Sequence, residues 1–286
     1  MIDLFKLYSF QIVVVGITLL ALASSLIGTI NIYKNQSLIG DALGHSTLPG
    51  IIIAFMLTYK KDPITLLFGS VISAAISYFL IDYSNKNSKV GADANMAIYL
   101  SGFFGLGLLL KSYIQANPSF ANASKAGLDK YIFGQAAYLR EADIFLILIA
   151  FLLCLGIMII FYRDIKCYLF DRQFANQIGI NTKFLDYLLL FLTILVIGVG
   201  IKAVGVILIS SLLIIPIVTA KKIGNSFLKV IGLSALFSII TSVLGSMVST
   251  TYKGFSTGPS IIIFQGLIFV IVTIGKTLLK GADTKW

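Results

Sequence analysis

The stretch Phe184-Leu-Asp-Tyr-Leu-Leu-Leu-Phe-Leu-Thr-Ile-Leu-Val-Ile-Gly198-Val-Gly200-Ile-Lys202-Ala-Val-Gly205-Val-Ile-Leu-Ile-Ser210-Ser211-Leu-Leu-Ile-Ile-Pro216-Ile-Val-Thr-Ala220 decides the fold. It is apolar almost throughout and too long for a single crossing, because a helix needs about 20 mostly apolar residues to traverse a bilayer core. Lys202 is the charged break, with Gly198, Gly200 and Gly205 around it. The reading is two spans, about 184–200 and 203–220, folded back near Lys202. A re-entrant or broken segment here would count as one span.

The pattern repeats outward in both directions. Further candidate spans are about 9–32, 38–58, 63–82, 93–113, 143–162, 228–250 and 260–279. The expected architecture is all-α: one polytopic transmembrane bundle of eight to nine spans, a single domain over 1–286. Composition agrees. Hydrophobic residues make up 58% and charged residues 12%, against about 25% charged in an average soluble domain. Mean hydropathy is +0.96. Ala21-Leu22-Ala23-Ser24 resembles a signal-peptide cleavage site, but only Lys6 precedes the run and apolar sequence continues to Ile32, so an uncleaved first span is expected. Cys154 lies in an apolar run and Cys167 in a basic connector, which argues against a disulfide.

The net charge of +10 sits mostly in short connectors. One cluster holds Arg163, Lys166, Arg172 and Lys183; Lys221 and Lys222 form another; Lys276, Lys280 and Lys285 form the tail. Nine spans place all three on one side, read as cytoplasmic and facing anionic membrane lipid. The N-terminus, Lys60, Lys61, Lys125, Lys130 and Arg140 then face outward. Basic stretches interleaved with stacking aromatics are absent, so no nucleic-acid partner is expected. The connector at about 114–142 exceeds the usual 12–15 residues and reads as a functional outer loop. Its second half, Leu128 to Leu139, is expected to form a short helix on the outer face.

Three stretches carry chemistry. In Ser37-Leu-Ile-Gly-Asp41-Ala-Leu-Gly-His45-Ser-Thr-Leu-Pro49-Gly50, Asp41 and the sole histidine, His45, are four apart and share one helix face. A carboxylate inside a span usually faces a cavity, a partner or an ion. Asp and neutral His suit manganese, iron or zinc. The alternative is a wet helix entrance with Asp41 as its cap. Two ligands are few, and a two-fold dimer would bring four together. In Phe170-Asp171-Arg-Gln-Phe174-Ala175-Asn-Gln-Ile178-Gly179, the three apolar residues are spaced for one face of a short helix over 170–180 that Gly179 ends. Such a helix docks in a partner's groove or lies on lipid. Third, Pro216 inside a span frees a carbonyl and permits a gating kink, which Ser210 and Ser211 are placed to soften. No GxxxxGK[ST] phosphate loop and no HExxH occurs.

At these residues the chain resembles the metal-ion permease family of ABC transporters, importers of manganese, zinc or iron. Family members carry Leu-x-Gly-Asp-Ala-x-x-His-x-x-Leu-Pro-Gly, matched from Leu38 to Gly50, and Phe-Asp-x-x-Phe-Ala-x-x-x-Gly, matched from Phe170 to Gly179. They also carry Val-Gly-x-x-Leu-x-x-x-Leu-Leu-Ile-x-Pro-x-x-x-Ala, matched from Val204 to Ala220. Gly127 to Ala137 resembles a variant of the manganese and zinc branch. The chain departs at Gly44, where Ser is common, and at Ser256-Thr257-Gly258-Pro259, which lacks the usual Pro before Thr-Gly.

The resemblance implies a permease subunit and no enzyme, with a second permease copy or a paralogue beside it. It implies a pair of cytoplasmic ABC ATPases and an extracytoplasmic metal-binding lipoprotein, in a bacterial cell membrane. Asp41 and His45 match positions that line the metal path. Phe170, Asp171, Phe174, Ala175, Ile178 and Gly179 match the segment that couples to the ATPase. The divalent metal is cargo, manganese first, and no cofactor is expected on the chain. The alternative reading is an ion-coupled secondary metal transporter working without an ATPase; it calls for paired broken helices, and no matched pair is evident.

Overall fold

The computed structural model describes residues 8–59, 62–117, 120, 139–252 and 254–283. These form α1 (Tyr8–Tyr33), α2 (Ile39–Thr58), α3 (Pro63–Asn87), α4 (Ala92–Ala116), α5 (Glu141–Ile160), α6 (Tyr162–Phe170), α7 (Arg172–Gln177), α8 (Thr182–Val204), α9 (Val206–Ile223), α10 (Phe227–Thr251) and α11 (Thr257–Asp283). Among the described residues nine of these helices, all but α6 and α7, are long and apolar enough to cross a membrane.

Helix ends are set by local hydrogen bonds. Asp62 caps α3 by accepting from Thr65 N at 3.0 Å, ahead of Pro63 in the first turn. Asn181 caps α8 through Phe184 N at 3.0 Å, and Ser226 caps α10 through Lys229 N at 3.4 Å. The division of the 184–220 stretch falls at Gly205 instead of Lys202. Gly205 has φ 84°, a conformation cheap only for glycine, whereas Lys202 continues α8. Charge marked the neighbourhood, and backbone freedom chose the residue.

The bundle is layered around α2, the most enclosed span. Helix α2 packs on α3 and α4, and also touches α8 and α9; α1 packs on α5, α8, α9 and α10, and α11 covers α9 and α10. Lipid tails provide no hydrophobic drive between helices, so close packing and buried hydrogen bonds hold such a bundle together. At the α2–α3 crossing a Cβ on Gly50 would stand 2.0 Å from the Gly69 carbonyl oxygen, so the two backbones meet directly. Ala21, Ala23 and Ser24 are buried within an unbroken α1, which makes the apparent cleavage site part of the core. Phe68, Leu109, Leu152 and Ile271 are exposed on the outside of spanning helices. Cys154 and Cys167 are both free.

Contacts bring Lys221, Lys222 and Lys276 to one end of the bundle. Lys221 Nζ lies 4.9 Å from the Tyr33 ring centre, Lys276 donates to the Lys222 carbonyl, and the Tyr33, Phe170 and Phe227 rings cluster. One end of the bundle therefore gathers the α1–α2 link, α6, α7 and the tips of α8 to α11. At the opposite end Phe120 stacks on Tyr59 at 5.2 Å. The expected outer-loop helix, Leu128 to Leu139, lies outside the described residues except at Leu139. Lys60, Lys61, Lys125, Lys130 and Lys285 also lie outside them.

Candidate functional site

Helix α2 positions the first pair. Asp41 lies in its first turn, with Leu38 at the cap position and no side-chain capping bond. Asp41 is therefore not a helix cap. Its Oδ1 faces His45 Nε2 at 3.4 Å, as four-residue spacing requires, with His45 20% and Asp41 33% exposed. Both groups are shielded yet reachable. Among the described residues no set of three or more His, Cys, Asp or Glu is placed to hold a metal. One copy of the chain offers two metal-binding side chains here.

Neighbouring residues fix this turn from three sides. The Ser46 and Ser77 hydroxyls are 2.7 Å apart, and Ser73 Oγ donates to the Ser46 carbonyl at 2.6 Å, tying α2 to α3. The Phe104 ring of α4 meets the His45 ring edge-on at 4.8 Å. On α9, Val206 and Ser210 approach Gly44, where an added Cβ would stand 3.0 Å from Val206 Cγ1 and 3.7 Å from Ser210 Oγ. A serine at this position would need Val206 to give way, so Gly44 and its neighbours are matched. Pro49, one turn after His45, has no N–H to offer the His45 carbonyl.

Pro216 is buried inside α9, which continues through it to Ile223. The two serines do not act on the carbonyl it frees. Ser211 Oγ bonds to Gln265 of α11. Ser210 Oγ is buried beside the Asp41 carboxylate and lacks a hydrogen bond of normal geometry. Ser210 is thus a third polar group at the α2 pair.

The second region differs from its expectation. Phe170 ends α6 and Asp171 breaks the helix with φ −147° and ψ 93°, so Phe170, Phe174 and Ile178 do not share one helix. The cause is capping: Asp171 Oδ1 accepts from Phe174 N at 2.8 Å and starts α7 afresh. The outcome for the surface is similar, because all three side chains are more than half exposed while Ala175 is fully buried. Phe170 also packs on Tyr33, with ring centres 5.4 Å apart. Gly179, with φ 86°, ends the segment as expected.

Behind α7 stands Asp186 of α8, which accepts hydrogen bonds from Lys34, Tyr168 and Arg172. Burial holds the Lys34 ammonium pKa below the usual lysine range, opposed by the Asp186 charge beside it. Burial, with the bond to Asp186 second, pushes the Tyr168 hydroxyl above the usual tyrosine range. Sequence reasoning missed this cluster, because Lys34 is 152 residues from Asp186 and Tyr168 and Arg172 stand on other helices.

A sequence model described as the ABC 3 transport family matches residues 6–276. The zinc transport system membrane protein TroC of Treponema pallidum (strain Nichols) is 38% identical over 274 residues, covering 95% of this chain and 91% of that protein. The manganese transport system membrane protein MntC of Bacillus subtilis (strain 168) is 36% identical over 264 residues, covering 92% of this chain and 60% of that protein. Among solved structures, a chain of PsaBC from Streptococcus pneumoniae in complex with Fab superimposes with a TM-score of 0.78 at 28% identity, covering 95% of this chain and 93% of that one.

Proposed function

The chain belongs to the ABC 3 transport family and is the membrane permease subunit of an ABC metal importer, and we propose that it passes a divalent transition metal, manganese first, inward along a path lined by Asp41 and His45. ATP hydrolysis falls to a separate ATPase subunit, and an extracytoplasmic binding protein delivers the metal. Membership in this family replaces the secondary-transporter alternative. The metal remains part of the proposal, since the two relatives above are named for different metals, zinc and manganese.

The observation that carries the proposal is the 3.4 Å pairing of Asp41 and His45 on a membrane helix, with both side chains part-exposed. A carboxylate is a hard ligand and an imidazole a borderline one, a pair that suits manganese or zinc. Two ligands make a weak stop on a path, which suits transit better than storage. A second permease copy across a two-fold axis would complete a site of four ligands. At the basic end, exposed Phe174 and Ile178 fit a groove on the ATPase, and the outer loop faces the binding protein, proposed here to be lipid-anchored.

Manganese titration of the purified permease tests the path. Wild type is expected to bind one ion per two chains, and Asp41→Ala and His45→Ala to lose it. Equal occupancy in all three proteins would end the proposal. Zinc and iron competition in the same titration ranks the metals.

A further inference from the structure

We infer that Asp186 is the joint through which the ATPase-docking segment moves the membrane helices, a positioning residue for transport. The inference rests on the docking reading of α7 given above. Asp186 Oδ1 accepts from Lys34 Nζ at 3.1 Å and from the Tyr168 hydroxyl, and Oδ2 accepts from Arg172. The donors come from three different places: the α1–α2 link, α6 and α7. Lys34 Nζ and the Arg172 guanidinium also lie over the Tyr168 ring, at 5.5 and 5.4 Å from its centre. A carboxylate offers about four acceptor positions, and the protein's own donors fill three. Asp186 is therefore poorly suited to an ion and well suited to holding elements together.

The joint continues into the metal path by direct contact. Thr182 Oγ1 donates to Asn176 Oδ1 at 2.7 Å, a second tie between α7 and α8. Helix α1, held at its end by Lys34, abuts α9 at Leu213: a Cβ on Gly28 would stand 2.3 Å from the Leu213 carbonyl oxygen. The Leu213 side chain also meets Gly40, where a Cβ would stand 2.7 Å from Leu213 Cδ1. Gly40 immediately precedes Asp41. Backbone-close contacts of this kind leave little slack, so displacement of α1 or α9 reaches the Asp41 turn. Loss of the Asp186 charge leaves Lys34, 13% exposed, without its counter-ion.

The test uses the whole transporter, permease with its ATPase and binding protein, in proteoliposomes with manganese. Asp186→Asn is expected to keep the ATPase bound and basal ATP hydrolysis near wild type. Metal moved per ATP hydrolysed should fall about tenfold, within the range of such couplings. Arg172→Gln should give a similar loss, and the double variant should be no worse than either, because both act in one joint. An unchanged transport ratio in Asp186→Asn, or losses that multiply in the double variant, would overturn the inference. So would equal falls in hydrolysis and transport, the mark of a merely structural role. Tyr168→Phe keeps the ring and removes one donor; it covers the case in which Asp186→Asn does not assemble. A fall of about threefold supports the joint, and an unchanged ratio refutes it. The docking reading fails on a separate arm, if Phe174→Asp still retains the ATPase.

Discussion

Asp41 and Asp186 both stand near the N-terminal ends of membrane helices, and their surroundings differ in kind. Asp41 faces His45 at 3.4 Å, with the buried Ser210 hydroxyl beside it. Asp186 accepts from Lys34, Tyr168 and Arg172. The elements around Asp41 meet through small residues, Gly40 and Gly44 against α9 and Ser46 against α3, which fix the turn without filling the carboxylate's acceptor positions. Those around Asp186 meet through the carboxylate itself. An acid with acceptor positions to spare is suited to a passing ion, whereas an acid whose positions are mostly taken by protein donors is suited to fastening elements together.

The sharpest way to break the comparison is at the first acid. Asp41→Ala or His45→Ala is expected to lower manganese accumulation in cells by more than about 100-fold, beyond the 10–100-fold typical of groups standing behind metal ligands. Accumulation within twofold of wild type would make the two acids equivalent. Next in size is the contact outside the fastening. Phe174→Asp places a charge on an exposed apolar contact and is expected to cost about tenfold in ATPase retained through purification. Full retention would detach α7 from any coupling role. A smaller effect sharpens the comparison from the packing side. Ser77→Ala removes the 2.7 Å partner of Ser46 and should cost about 0.6 kcal/mol of stability, typical of interhelical bonds in a bilayer. Thermal unfolding in detergent would show it, along with a modest rise in the metal dissociation constant.

The smallest expected effect concerns a third acid that is neither path nor fastening. Asp62 caps α3 in full exposure, and its bond to the Thr65 hydroxyl, with the Thr65 N–H second, lowers its pKa. A depressed folded-state pKa stabilises above the unfolded value, and that contribution is lost as pH falls through the folded one. Asp62→Ala should therefore lower the melting temperature slightly at neutral pH. The difference should vanish once pH drops below the ordinary aspartate range. A gap that persists in acid would refute the cap as its source.

Much of the architecture was legible because membrane helices announce themselves locally. Hydrophobic run length is a property of the segment, and the long helices fall on the nine expected spans. Asp41 and His45 were legible for a similar reason, since one helical turn joins them. The α8–α9 corner was placed a few residues early because the charge of Lys202 drew attention from Gly205, the residue able to adopt φ 84°. The break at Asp171 did have a signal: an aspartate before a short helix is a natural cap, and the regular spacing of Phe170, Phe174 and Ile178 obscured it. Asp186 had none. Lys34 is 152 residues away in sequence, and only the closed bundle brings its ammonium to the carboxylate. Ser210 was assigned to softening the Pro216 bend, and three-dimensional packing instead sets it beside Asp41.

The two thiols have a practical consequence. Cys154 is enclosed in the bundle, while Cys167 is partly accessible on α6, one turn before the Asp171 break. Alkylating reagents should reach the second and spare the first. The unaltered permease therefore carries a single addressable label site beside the Asp171 break. A fluorophore or spin label placed there reports that segment's motion during turnover, without an engineered cysteine and without touching either acid.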